Sequence, residues 1–235
     1  MGYDSRVNPH RAMDVSERST LVKTTAGTIA LSLAGVIVIV FANRFWLHDA
    51  LPYVVDYAED TYRRYWPVRQ GLLLHIAGGT VALFAGPFQL WSGVRRKFPR
   101  LHRWTGYAYI LGVLVSASSS FYLAFHARPD FGLSLSILAI AWLASIAMAL
   151  AAVRNKRIAA HQEWMTRSYI VTFSFVSYRF LVGLSMFRFL GPSRPAMVLW
   201  ISWVVPMMLF ELFMQWDRVR PLKRRVVPAE SRDFV

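Results

Sequence analysis

Cysteine is absent from the 235 residues. That excludes a disulfide framework, a thiolate-held zinc or iron–sulfur site and a thiol nucleophile, and it leaves any metal or cofactor to His, Met, Tyr or a carboxylate. The chain also lacks a phosphate-binding glycine loop, a G-x-S-x-G elbow and an H-E-x-x-H pair. Its serine clusters, 116–120 and 132–136, sit beside no histidine base at a defined spacing, so nucleophilic catalysis has no support. Charge is scarce as well, at 17% of positions against 55% hydrophobic. A soluble domain of that composition would carry more apolar surface than one core can hide.

What is present is a set of long apolar runs, at about 25–41, 72–91, 107–125, 133–153, 169–190 and 197–216. Each approaches the roughly 20 residues that an α-helix needs to cross about 30 Å of hydrocarbon. The expected fold is therefore all-α: a polytopic membrane bundle of six transmembrane helices, with helices two to five as a four-helix core. A cytoplasmic arm (1–22) precedes the membrane domain (23–217), and a basic tail (218–235) follows it. The net charge of +14 is not the signature of a nucleic-acid binder, because the basic residues mark connectors rather than one soluble face studded with stacking aromatics. Most Lys and Arg fall in the arm, the connectors 92–104 and 154–167, and the tail. The alternate connectors hold only Arg44, Arg63, Arg64, Arg69, Arg128, Arg188 and Arg194. The positive-inside rule then puts both termini in the cytoplasm, N-in and C-in. The connector 43–69 would lie outside, and the Trp residues near segment ends read as interfacial anchors.

The two inner turns look alike. One reads RRKFPRLHRWTGYAYI and the other RNKRIAAHQEWMTRSYI, so His102 and His161 occupy matching places, and a weak internal repeat is one explanation. Around these turns the chain resembles a family of bacterial predicted membrane proteins known only as a domain of unknown function. The resemblance runs over about 70–190 through GPFQLWSGVRRKFPRLHRWTGYAYI and HQEWMTRSYIVTFSFVSYRF. It implies a multi-pass protein of the bacterial cytoplasmic membrane and assigns no reaction, so whether the chain is an enzyme is left open.

Candidate chemistry falls in two places. At the inner side, His102 and His161 each begin a helix, where partial positive charge and free N–H groups disfavour imidazolium. They are candidate ligands for one haem b or contacts for a quinone, with Arg103 and Arg167 holding acidic groups or an anionic lipid. In the outer half, His75, Gln89 and Arg179 are candidate ligand-binding residues for an anionic or lipidic molecule, since a cation at depth needs a partner or water. The small residues Gly78, Gly79, Ala82 and Gly86 that follow His75 read first as a packing surface. Glu211, the one acid inside an apolar run, has Arg167 as its expected partner. Two classes of function follow: a haem- or quinone-binding redox protein using the inner histidines, or a non-enzymatic transporter or lipid- or anion-binding protein using the outer residues. A structural subunit of a membrane complex is the plainer third.

Overall fold

The computed structural model describes residues 66–91 and 96–219 and a few isolated positions between 40 and 47. The expected first helix, most of the 43–69 connector and the basic tail lie outside the described residues. Five long helices follow one another: α1 (Arg69–Leu90), α2 (Pro99–His126), α3 (Pro129–Arg154), α4 (Ile158–Val182) and α5 (Arg194–Val219). Proline opens α2 and α3 at the first turn, where its missing N–H is no loss. The α3–α4 turn closes by a Schellman arrangement, in which Arg157 N–H reaches Ala152 O at 2.9 Å. Lys156 takes the left-handed position (φ 57°) that glycine usually fills.

The helices α1 to α4 form the expected four-helix core as an antiparallel ring. α1 packs on α2 and α4, α3 packs on α2 and α4, and α5 lies outside against α4 and α3. One end of the ring carries the α2–α3 turn and the α4–α5 connection. The other carries the α1–α2 and α3–α4 connections.

Packing follows membrane rules rather than those of a soluble core. The buried positions are largely small or hydroxylic, among them Ser116, Ser120, Ser145, Ser168, Thr172 and Ser202, while bulky apolar side chains point outward, Phe125 being 87% exposed. With lipid as apolar as leucine, small residues that let backbones approach are what hold such helices together. α1 and α2 approach most closely where two glycines meet. A Cβ on Gly78 would lie 2.7 Å from Gly112 O, and one on Gly112 would lie 2.7 Å from Gly78 O. At Gly86 the missing side chain admits the ring of Tyr169 from α4, whose hydroxyl donates to Leu83 O at 3.2 Å. The small-residue stripe after His75 is thus a packing surface.

Among the described residues, four stretches are long and apolar enough to cross a membrane: Trp66–Leu90, Pro99–His126, Pro129–Arg154 and Ser185–Trp216. α4 has the length, 25 residues, but not the hydropathy. The expected run at 169–190 is therefore misplaced: the helix starts earlier, through HQEWMTR, and ends at Val182. Hydropathy reports what faces lipid, and α4 is walled by α1, α3 and α5, so its polar residues meet protein. The apolar residues that prolonged the run belong instead to a 3-10 segment, Ser185–Ser193, where Met186 and Phe189 are 66% and 81% exposed. That segment turns at Gly191 (φ 55°, ψ −137°), a conformation open essentially to glycine alone.

Candidate functional site

Among the described residues, a space lies between the helices toward each end of the ring. The larger, about 550 Å³, opens toward the α2–α3 turn. Its mouth carries His126, Arg128 and Arg179, its walls are mostly apolar (Leu72, Leu123, Phe131, Leu135) with His75, Ser120 and Ser174 among them, and Trp142 and Thr172 lie toward mid-bundle. From Phe131 to Trp142 is 11 residues of α3, about 16 Å at 1.5 Å per residue. No Asp or Glu among the described residues lines it. Arg128 is held in place by bonds to Pro192 O at 2.8 Å and to Asp130 Oδ2 at 3.1 Å. Arg179 stands in the last turn of α4, 21 residues past Ile158, rather than deep within the helix as the misplaced start had suggested.

His75 lines one wall. Its Nδ1 lies 3.1 Å from Ser116 O and 3.0 Å from Ser120 Oγ. Both nearby hydroxyl protons are already directed to carbonyls, that of Ser116 to His75 O at 2.9 Å and that of Ser120 to Ser116 O at 2.8 Å. Only acceptors therefore surround Nδ1, which must carry the ring proton. That leaves Nε2, which makes no hydrogen bond among the described residues, as an acceptor.

Beneath the cavity lies a sealed hydroxyl cluster. Tyr109, 0% exposed, places its Oη 2.8 Å from both Ser168 Oγ and Thr172 Oγ1, and Trp142 Nε1 donates to Thr172 Oγ1 at 3.0 Å. This cluster joins α2, α3 and α4 at the bundle centre, and buried hydroxyls paired in this way avoid the penalty of an unsatisfied polar group in hydrocarbon. The sequence reading passed over Tyr109, Trp142 and Thr172. The available signal was the sevenfold spacing His102–Tyr109–Ser116 on α2, matched by His161–Ser168 on α4.

The smaller space, about 140 Å³, lies at the opposite end, and His102 and His161 both line it with Gln89, Gln162, Met165 and Thr166. The structure thus brings these two histidines to one space. Each is the fourth residue of its helix, and each backbone N–H closes the first turn, on Phe98 O at 3.0 Å and on Arg157 O at 2.9 Å. The ring Nδ1 of His161 donates to Ala149 O at 2.9 Å. At about 30 Å³ per water the space holds four or five water-sized molecules. A haem macrocycle does not fit between the two rings, and Arg103 and Arg167 do not line the space.

Gln89 belongs to this smaller space and not with His75. Fourteen residues along α1 separate the two, about 21 Å, and the Gln89 amide donates to His102 O at 3.0 Å and Thr105 Oγ1 at 2.6 Å. Arg167 is engaged elsewhere. Its guanidinium grips Glu211 with two bonds, Nε to Oε1 at 2.6 Å and Nη2 to Oε2 at 3.0 Å, between the rings of Trp164 and Phe210. The expected Arg167–Glu211 pair is therefore formed, and Glu163 extends it to Arg218 at 3.0 Å. This ladder fastens α5 to α4.

No curated protein and no solved structure shows significant similarity to the chain. A family model described as a predicted membrane protein, DUF2306, matches residues 72–214, which takes in all five helices except the first turn of α1 and the last of α5. The chain is an integral membrane protein and belongs to this family, whose function is not known.

Proposed function

We propose that the protein binds an amphipathic anion in the larger cavity, with the molecule's apolar body between α1–α4 and its acidic group at Arg128 and Arg179. The observation that carries this reading is the cavity's polarity gradient. Its mouth carries Arg179 and the Asp130-paired Arg128, and no carboxylate lines it among the described residues, while its walls are mostly apolar down to Trp142 and Thr172, with His75, Ser120 and Ser174 as the polar points along them. About 550 Å³ falls within the 300–1,000 Å³ of small-molecule sites. His75 Nε2 offers one acceptor along the wall, which suits a ligand hydroxyl. The distribution of basic residues puts this mouth on the outer side and both termini inside, so the ligand is drawn from the outer leaflet or the fluid beyond it. This is the binding or transport class of function, and it requires no cofactor.

Thermal unfolding in a neutral detergent tests the reading with three molecules of one chain length. Dodecanoate is expected to raise Tm, while dodecanol and dodecylamine leave it nearly unchanged. Ala139→Phe, which puts a ring into the cavity from α3, should abolish the dodecanoate response. Arg179→Gln should weaken it by about tenfold or more in apparent Kd, as loss of a charge-assisted hydrogen bond does. Equal responses to all three molecules, or a response untouched by Ala139→Phe, would refute the assignment.

A further inference from the structure

We infer that the two spaces are opposite vestibules of one transport pathway, and that the α1–α2 hairpin rocks against α3–α5 about Tyr109 to expose each in turn. The inference rests on the proposed binding of an amphipathic anion and extends it from binding to passage across the bilayer.

Its first support is a continuous face. On α4, His161, Met165, Ser168, Thr172, Phe175 and Arg179 follow one another at alternate spacings of four and three, which keeps them on one side of a helix. The first two line the small space, the middle two meet Tyr109, and the last three positions from Thr172 onward line the large one. On α2 the same progression runs from His102 through Tyr109 to Ser120. One polar seam therefore connects the two spaces, and Tyr109 closes it.

The second support is the way the molecule divides. α1 and α2 pack against each other along their length and meet at the reciprocal Gly78–Gly112 backbone contact. α3, α4 and α5 are joined by Trp142–Thr172 and by the Arg167–Glu211 pair. Each space lies between these two bodies. The large one has His75 and Ser120 on one side and Phe175 and Arg179 on the other, and the small one has Gln89 and His102 facing His161 and Met165. The bodies meet along the α2–α3 seam, where a Cβ on Gly132 would lie 2.5 Å from Ala124 O, and between the two spaces they touch through Tyr109 and through the Tyr169 ring seated at Gly86. A wide space at one end, a narrow one at the other and a hydrogen-bonded contact between is the geometry of a carrier open to one side, and rocking of one helical repeat against another is how such carriers exchange sides. The matching turns before His102 and His161 agree with two related halves.

The absence of cysteine makes the test direct. Ser174→Cys in the large cavity and Thr166→Cys in the small one are near-isosteric, and each gives the only thiol in the full chain. In sealed vesicles of one orientation, a membrane-impermeant maleimide is expected to modify each cysteine from its own face and, more slowly, from the opposite face. Tyr109→Phe, which keeps the ring and removes the hydroxyl bonded to Ser168 and Thr172, should raise the opposite-face rate by about tenfold, the worth of one or two buried hydrogen bonds. Should either mutant fold poorly, Ser120→Cys supplies a second position in the large cavity. Labelling confined to each residue's own face, unchanged by Tyr109→Phe, would overturn the carrier mechanism. Protection of Ser174→Cys by dodecanoate from the cavity's own face reads the binding proposal separately, so binding without passage is distinguishable from no binding.

Discussion

Gly78→Leu is expected to yield little or no monodisperse protein after extraction, whereas Leu74→Ala, one turn away on a face that is 54% exposed, should behave like wild type. The difference lies in what each change meets. A Cβ at Gly78 falls 2.7 Å from Gly112 O and 2.8 Å from Ser116 N. Those are backbone atoms of a helix and cannot swing aside as a side chain would. Overpacking typically costs 1–3 kcal/mol, and here the whole α1–α2 interface must separate to admit the leucine, so the effect should reach about 3 kcal/mol or exceed it. The same movement would pull His75 away from Ser116 and Ser120. Size-exclusion chromatography of the two variants, expressed side by side, makes the check. A well-folded Gly78→Leu would mean that the α1–α2 approach is looser than described.

Glu211→Gln is expected to lower the unfolding temperature and the yield. The carboxylate takes two bonds from Arg167, whose side chain is only 13% exposed and lies between Trp164 and Phe210. Removing one partner strands a charge that is poorly placed to find water, which in buried pairs costs about 3–5 kcal/mol. Glu211 itself is 39% exposed, and Glu163 stands 3.7 Å from the same guanidinium as a partial substitute. A loss of about 1–3 kcal/mol is therefore the reasonable size. The double variant Arg167→Gln/Glu211→Gln should lose less than the sum of the two single changes, since the second removes the stranded charge. An unchanged Tm for Glu211→Gln would mean that α5 is held by its apolar contacts alone.

These two sites differ in how far the sequence disclosed them. Arg167 and Glu211 were legible because hydrocarbon leaves an acid and a base few alternatives, and the helix lengths set both at one level. His102 and His161 were legible for a similar reason: two like-spaced basic turns put both at the start of helices running the same way. Gln89 was assigned to the wrong end because a stripe of small residues carries no mark of depth, and only the full length of α1 separates Gln89 from His75. α4 was misplaced because hydropathy follows lipid exposure and α4 has little of it. The cavity floor was missed for a related reason. Trp142 and Tyr109 resemble ordinary aromatic residues of apolar runs until the fold turns them inward onto Thr172 and Ser168.

The large cavity is where the account is most exposed, and photo-crosslinking tests it most directly. A long-chain carboxylate bearing a diazirine near the middle of its chain is irradiated with the full-length protein in nanodiscs, and the adducts are located by peptide mass spectrometry. Adducts should concentrate on residues lining the cavity between Phe131 and Trp142 on α3 and between Thr172 and Arg179 on α4, and unlabelled dodecanoate should compete them away. Adducts spread over outward-facing residues such as Phe125, Leu133 and Phe180, with no competition, would mean that the chain meets such molecules only as bulk lipid, contradicting a built binding site.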